Sequence, residues 1–232
     1  MKKYLTLTLL AGVFAVGGAW MLTQPQSQSA LSDGLLPGAA QAQETATDTS
    51  EAAPIDTSTV VEMAQGSPDA PVTLIEYASF TCPHCAAFHA SQYQQLKTDY
   101  IDTGKVRFVF REVYFDRFGL WASMIARCGG EMRFFGIADM IYDQQQDWLA
   151  GGDPAKIAEN LRTIGRTAGM DDATLDACMA DEVSAQTLVA WFTENSTRDE
   201  VNATPTLFID GTKYSNMAYD ELTALIDAQL AE

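Results

Sequence analysis

Nearly continuous runs of apolar residues mark two segments of this chain as buried strands. Val72 to Ala78 is rich in β-branched residues, and Val106 to Val113 has the same character, as expected of strands that are covered on both faces of a sheet. Between them, from Cys85 to Asp102, apolar side chains recur at helical spacing. The pattern therefore predicts a strand, a helix and a second strand in succession.

The rest of the chain divides into a helical region and a closing hairpin. Residues 117–195 contain several amphipathic helical patterns and no convincing strand. Thr206 to Tyr214 is typical of a β-hairpin that turns at Asp210-Gly211, and a last helix is predicted from Tyr219 to Leu230. A short strand is predicted at Thr59 to Val61. We expect an α/β fold that an all-helical insertion divides in two.

The N-terminal region has the pattern of an exported protein. Lys2 and Lys3 precede an uncharged, apolar run from Leu5 to Leu22, which predicts either a signal peptide or a membrane anchor. Either outcome carries the rest of the chain out of the cytoplasm, because the positive end stays inside. The predicted organisation is a signal peptide or anchor (1–22), a disordered linker of polar composition (23–58), the first part of the globular domain (59–116), the helical insertion (117–195) and the second part (196–232).

The chain is strongly acidic, with 14 Lys and Arg against 31 Asp and Glu and a formal net charge of −17. A polyanion gains nothing from binding so negative a surface, so nucleic acid and anionic membrane surfaces are poor partners, and no nucleic acid is expected. Four cysteines in a chain bound for an oxidising compartment predict disulfide chemistry.

The sequence Cys82-Pro83-His84-Cys85 follows the first long strand and opens the predicted helix. Unpaired backbone N–H groups and the helix dipole favour a thiolate at this position, and the thiolate is the nucleophile of disulfide exchange. Cys82 is therefore predicted to be the nucleophile, and Cys85, one helical turn later, the resolving thiol. Pro83 stiffens the first turn, while His84 adds a polar and, when protonated, cationic neighbour.

Besides disulfide exchange, a CxxC motif can bind zinc, attach haem or form a purely structural disulfide. Zinc could bind Cys82, Cys85 and His89, but there is no second CxxC, so no metal is expected. Covalent haem needs a histidine directly after the second cysteine, where this chain has Ala86. A purely structural disulfide within the motif would be a strained small ring. His89 is then predicted to be a plain residue of the helix surface.

Two segments carry a family resemblance. Thr73 to Cys85 (TLIEYASFTCPHC) and Asn202 to Thr206 (NATPT) resemble the DsbA family of thioredoxin-like oxidoreductases, and the resemblance extends from about Thr59 to the end of the chain. It implies a thioredoxin-like fold with a helical insertion. It also implies a cis peptide bond before Pro205, beside the cysteines, where the Thr204 backbone pairs with an extended substrate chain.

The function that the resemblance implies is the oxidation of reduced cysteines in exported proteins. Such an enzyme acts in the periplasm or an equivalent space, is reoxidised by a quinone-linked membrane partner, and is expected here to be monomeric and without a bound cofactor. A reductase or isomerase of the same compartment is the alternative, although an isomerase usually needs a dimerising module that the tether does not supply. A non-catalytic thioredoxin-like chaperone or scaffold is a third hypothesis, against which the intact cysteine pair argues.

Three residues outside the motif complete the expected sites. Cys128 and Cys178 lie in the helical insertion; a structural disulfide between them is the simplest outcome in an oxidising compartment, a subset of the family is similar, and two free buried thiols are the alternative. Glu76 is the one ionisable residue in its strand. Buried beneath the cysteine pair, it would accept the proton that Cys85 loses before it attacks; at an edge it would simply be solvated.

Overall fold

The computed structural model describes residues 54–232, so the predictions for 1–22 and most of the tether lie outside the described residues. The strands form one sheet in the order β1-β3-β2-β4-β5. They are β1 (Met63–Gln65), β2 (Val72–Ala78), β3 (Val106–Glu112), β4 (Thr206–Ile209) and β5 (Thr212–Ser215). β2 pairs in parallel with β3 and antiparallel with β4, and this central position explains its continuous apolar character.

A long helix, α1 (residues 83–101), connects the two parallel strands. It is α-helical over Pro83–Phe88 and Gln94–Leu96, and π-helical over His89–Tyr93 and Lys97–Ile101. The crossover from β2 through α1 to β3 places the helix N-terminus at the end of β2, because the chain leaves the sheet there and turns back. The predicted strand–helix–strand unit is thereby confirmed.

Six helices follow β3 before the chain returns to the sheet. They are α2 (Arg117–Cys128), α3 (Glu131–Asp143), α4 (Gln145–Trp148), α5 (Pro154–Thr167), α6 (Asp172–Met179) and α7 (Glu182–Arg198). Aspartate side chains cap four of them by accepting backbone N–H bonds, namely Asp116, Asp153, Asp171 and Asp181. The predicted helical insertion is confirmed, and its last helix extends three residues beyond 195. Within residues 54–232, no helix combines the length and apolarity needed to cross a bilayer.

The hairpin β4–β5 and the last helix α8 (Tyr219–Leu230) lie where the sequence predicts them. The first strand does not. The residues predicted as that strand, 59–61, lie before β1, and the Val60 N–H donates to the Thr57 carbonyl at 3.1 Å in a turn. Pairing with β3 begins only at Met63, opposite Phe110.

The sheet separates a large hydrophobic core from a small one. Leu74 and Ala78 of β2 belong to the large core, together with most helices, whereas Tyr77 belongs to the small one. Side chains alternate between the faces of a strand. Glu76 therefore points to the same side as Leu74 and Ala78, the side of the large core.

Candidate active site

Cys82 lies at the junction of β2 and α1 and is the residue that precedes the first helical turn. Its backbone is extended, its N–H donates to the Ser79 carbonyl at 3.0 Å, and its own carbonyl accepts the Ala86 N–H at 3.1 Å. Pro83 is the first helical residue, a position where no N–H is needed. The local sequence thus fixes a cysteine side chain at the amino end of a helix.

The two cysteines are free thiols in this structure and differ in access to solvent. Cys85 is fully buried, at 0 % exposed, while Cys82 keeps 8 % of its surface in contact with solvent. Pro83 and His84 between them are exposed. Cys82 is therefore the thiol that a reactant reaches first, although Thr204 lies against it and most of its surface is covered.

The pKa of Cys82 is lowered to about 5. A hydrogen bond from the Cys85 thiol is the main cause, and the Thr204 side chain and the backbone N–H groups of Cys85 and His84 add to it, against the opposing effect of burial. The contribution of His84 comes from its backbone N–H, as expected at a helix N-terminus. Cys82 is accordingly a thiolate at neutral pH.

The pKa of Cys85 is shifted in the opposite direction, far above that of an ordinary thiol. Burial is the main cause, followed by its hydrogen bond to Cys82 and the negative charge of Glu76. The reduced centre therefore holds one thiolate, on Cys82, and one proton, on Cys85.

Thr204 and Pro205 stand beside the cysteines, as the resemblance implies. The peptide bond between them is cis, and Cys82 Sγ lies 3.5 Å from the Thr204 carbonyl oxygen. Pro205 is buried. A groove of about 500 Å³ opens at this point, and its lining includes His84, Thr204, Pro205 and Tyr214.

Glu76 and His89 form a buried pair on the core side of the cysteines. His89 Nε2 lies 2.8 Å from Glu76 Oε2, with Glu76 at 0 % and His89 at 2 % exposed. The alternative of a solvated Glu76 at an edge is therefore excluded, and the prediction of His89 on the helix surface is wrong. His89 follows Cys85 by four residues, which places both on the inner face of α1.

Gln145 is a residue of the site that the sequence did not reveal. It is buried at the start of α4, and its side-chain amide donates to the carbonyls of Phe80 at 2.8 Å and Cys82 at 3.0 Å. These bonds tie the helical insertion to the turn that carries Cys82. Gln145 lies between two other glutamines in an unremarkable polar stretch, so only the tertiary fold distinguishes it.

Cys128 and Cys178 are joined by a disulfide in this structure, with Cα atoms 6.0 Å apart. The bond links the end of α2 to α6 within the insertion. As to metals, residues 54–232 contain no group of three or more His, Cys, Asp or Glu side chains placed to hold an ion, and His89 is hydrogen-bonded to Glu76.

Comparison with known proteins places the chain among thioredoxin-like proteins. The sequence model described as thioredoxin matches residues 58–228. A protein of Rickettsia bellii named as a protein-disulfide oxidoreductase is 33 % identical over 172 residues, which cover 74 % of this chain and 65 % of the relative's own length. The match thus spans somewhat less than two thirds of that relative.

Two solved structures are similar over most of their length. The α-DsbA1 of Wolbachia pipientis has 25 % identity and a TM-score of 0.67, covering 73 % of this chain and 91 % of that one. A structure from Novosphingobium aromaticivorans, described as a protein-disulfide isomerase, has 28 % identity and a TM-score of 0.66, covering 75 % and 100 %. These matches confirm the predicted DsbA-like thioredoxin fold.

Proposed function

This chain belongs to the thioredoxin family, and from that membership together with its dithiol centre we propose that it is a thiol–disulfide oxidoreductase that donates disulfide bonds to exported proteins. Relatives and structural neighbours named for disulfide chemistry support the reaction class. The direction of transfer rests on the cysteines themselves.

The observation that carries the proposal is the opposite pKa shifts of the two thiols. A thiol with a pKa of about 5 is stabilised as thiolate, and this stabilises the reduced form of the centre relative to the disulfide. A centre whose reduced form is stabilised has an oxidising disulfide. Cys82 is also a good leaving group, since thiols of low pKa depart readily.

The donating reaction then follows in two steps. A substrate thiolate attacks Cys82 Sγ of the Cys82–Cys85 disulfide; the S–S bond breaks, and Cys85 leaves and takes up a proton. A second substrate thiolate attacks the substrate sulfur of the mixed disulfide, and Cys82 leaves as a thiolate. The substrate loses two electrons and gains a disulfide, and the centre becomes a dithiol. Attack falls on Cys82 because Cys85 is completely buried.

Reoxidation uses Cys85 as the resolving thiol. The Cys82 thiolate attacks a disulfide of the oxidant, and Cys85 must lose its proton before it attacks Cys82 Sγ and closes the ring. We assign proton transfer in this step to Glu76, whose charge acts on Cys85. The export pattern of the N-terminal region supports a periplasmic or equivalent location and a quinone-linked membrane oxidant as the partner.

The groove beside Pro205 is the proposed docking site for an extended substrate segment. The Thr204 backbone borders it and also contacts Cys82, so a chain lying along the groove brings its cysteine to the reactive sulfur. A monomer without a bound cofactor suffices for this reaction, since the electrons move between sulfur atoms alone.

The test is oxidation of a reduced peptide with two cysteines by the stoichiometric, fully oxidised protein. We expect complete transfer, with one peptide disulfide formed per Cys82–Cys85 disulfide reduced, and no transfer by Cys82→Ser. If the reduced protein instead reduces a stable peptide disulfide and the oxidised protein leaves the dithiol peptide unchanged, the donating direction is wrong.

Isomerase activity is the second candidate, since one structural neighbour is described as a protein-disulfide isomerase. Reactivation of a scrambled, disulfide-bonded enzyme by the reduced protein measures it. We expect little reactivation, because a strongly oxidising centre does not hold its thiols reduced for repeated exchange.

A further inference from the structure

His89 is a buried residue with a specific partner, Glu76, and it takes no direct part in the exchange between the cysteines. Within the described residues, the Glu76 carboxylate has one hydrogen-bond partner, His89 Nε2. The other Glu76 oxygen, Oε1, and His89 Nδ1 are buried without a partner, as is the hydroxyl of Tyr142. Three unpaired polar atoms in one apolar core are a costly arrangement.

The surroundings of His89 are aromatic and hold the ring in place. Its ring centroid lies 4.3 Å from that of Tyr142 on α3 and 4.6 Å from that of Tyr93 on α1, and Phe88 and Phe110 approach it edge-on. The ring therefore has little freedom to turn away from Glu76.

Several titratable groups act on this pair from the elements around it. Glu76 comes from β2, Cys82 and Cys85 from the N-terminal end of α1, and Tyr93 from its middle. From α3 come Tyr142 and Asp139, whose pKa burial raises while the charge of His89 lowers it. Burial also raises the pKa values of Tyr93 and Tyr142, which stay neutral. The two tyrosines are thus excluded as acceptors for the proton of Cys85.

Charge conservation explains what the pair contributes. An ionised carboxylate without a partner in an apolar core is strongly unfavourable and would bind a proton. If Glu76 were protonated at the start, it could accept nothing from Cys85. A hydrogen-bonded imidazole keeps the carboxylate available, and the proton that leaves Cys85 is then held within the pair, so the buried region gains no net charge.

We propose that His89 is a positioning residue of the dithiol centre, holding Glu76 ready to take the proton of Cys85 during reoxidation and to return it when Cys85 leaves during donation. The inference rests on the proposed exchange reaction at Cys82 and Cys85. It concerns the step in which Cys85 acts, and it leaves the attack by Cys82 unaffected.

The test separates the two thiol steps with the aromatic disulfide dithiobis-nitrobenzoate and the reduced protein. Attack by Cys82 releases one coloured aromatic thiolate, and attack by Cys85 on the mixed disulfide releases the second. For His89→Gln we expect the second release to slow by about a hundredfold near pH 7, the lower range for a positioned proton acceptor, with the first release nearly unchanged. The rate of the second release in this variant should rise tenfold per pH unit, because hydroxide then takes the proton of Cys85 in place of the internal acceptor.

Two further variants keep the result interpretable. Tyr93→Phe keeps the aromatic ring beside His89 and removes only the hydroxyl that donates to Gln65, so its second release should match that of the wild type. Glu76→Gln should reproduce the defect of His89→Gln. A normal rate and pH profile in His89→Gln overturn the role of His89. Equal slowing in Tyr93→Phe overturns it too, because any disturbance of this core would then slow the second release. Because the assay uses a small disulfide, it is independent of whether the protein donates disulfides to peptides.

Discussion

At the scale of single residues, two thiols in one CxxC motif have opposite chemistry because their environments differ. Cys82 receives hydrogen bonds at a helix N-terminus, and Cys85, one turn further, is enclosed by the core and faces the negative charge of Glu76. The first environment favours a thiolate and the second a thiol. This division assigns attack to Cys82 and resolution to Cys85.

The acidity of Cys82 predicts the pH dependence of its alkylation. The lowered pKa means that the thiolate forms as pH rises through about 5, so the rate with iodoacetamide should climb to a plateau with its midpoint there. Above that pH the rate should stay constant. Mass spectrometry of the reduced protein, quenched at intervals, should find the label on Cys82 and almost none on Cys85. Faster labelling of Cys85 would reverse the assignment of the nucleophile. A midpoint near the value for an ordinary thiol would contradict the acidity of Cys82.

Cys82, Cys85 and Glu76 could be proposed from the sequence because local rules apply to them. A helix start acidifies a thiol, and a charge inside an apolar strand needs a purpose. The surface position predicted for His89 is wrong, although its spacing from Cys85, Phe88 and Leu96 follows the apolar face of the helix. Gln145 gave no local signal at all, since its hydrogen bonds reach residues more than 60 positions away.

At the scale of elements, the helical insertion is the part most dependent on long-range contacts. The disulfide between Cys128 and Cys178 closes a separation of 50 residues between α2 and α6, while Gln145 of α4 bonds the turn before α1. Strands and helices with strong periodicity were predictable, and α8 begins and ends where expected. β1 was not, because a three-residue edge strand is defined by its pairing with β3 rather than by its own sequence.

The disulfide predicts a measurable stability difference. Replacing both Cys128 and Cys178 by alanine should lower the free energy of unfolding by about 2–5 kcal/mol, since the cross-link restricts the unfolded chain. Urea unfolding of the two oxidised proteins measures it, and oxidation of the dithiol peptide at the wild-type rate serves as the control for an intact reactive centre. A loss below about 0.5 kcal/mol, the range of ordinary surface substitutions, would contradict a stabilising role.

At the scale of the whole molecule, the fold brings together three separated segments to make one redox centre. β2 and α1 supply Glu76, the cysteines and His89, the loop before β4 supplies Thr204 and Pro205, and the insertion supplies Gln145. From the sequence, only the family resemblance indicated that the cysteines and the loop with Pro205 meet at one site. The net charge of −17 disfavours binding to polyanions. The proposed contact with substrates is the groove beside Pro205.

The central claim is that the protein donates disulfides, and its redox state in living cells tests this most directly. Cells are quenched with acid, which stops thiol exchange, and free thiols are then alkylated with a reagent that shifts the protein on a gel. A variant with both Cys82→Ser and Cys85→Ser has no thiol at this centre and shows where the unshifted protein runs. A donor must be kept oxidised between turnovers, so Cys82 and Cys85 are predicted to be mostly in the disulfide form. A predominantly dithiol form in growing cells would contradict the account and assign the protein to reduction or isomerisation.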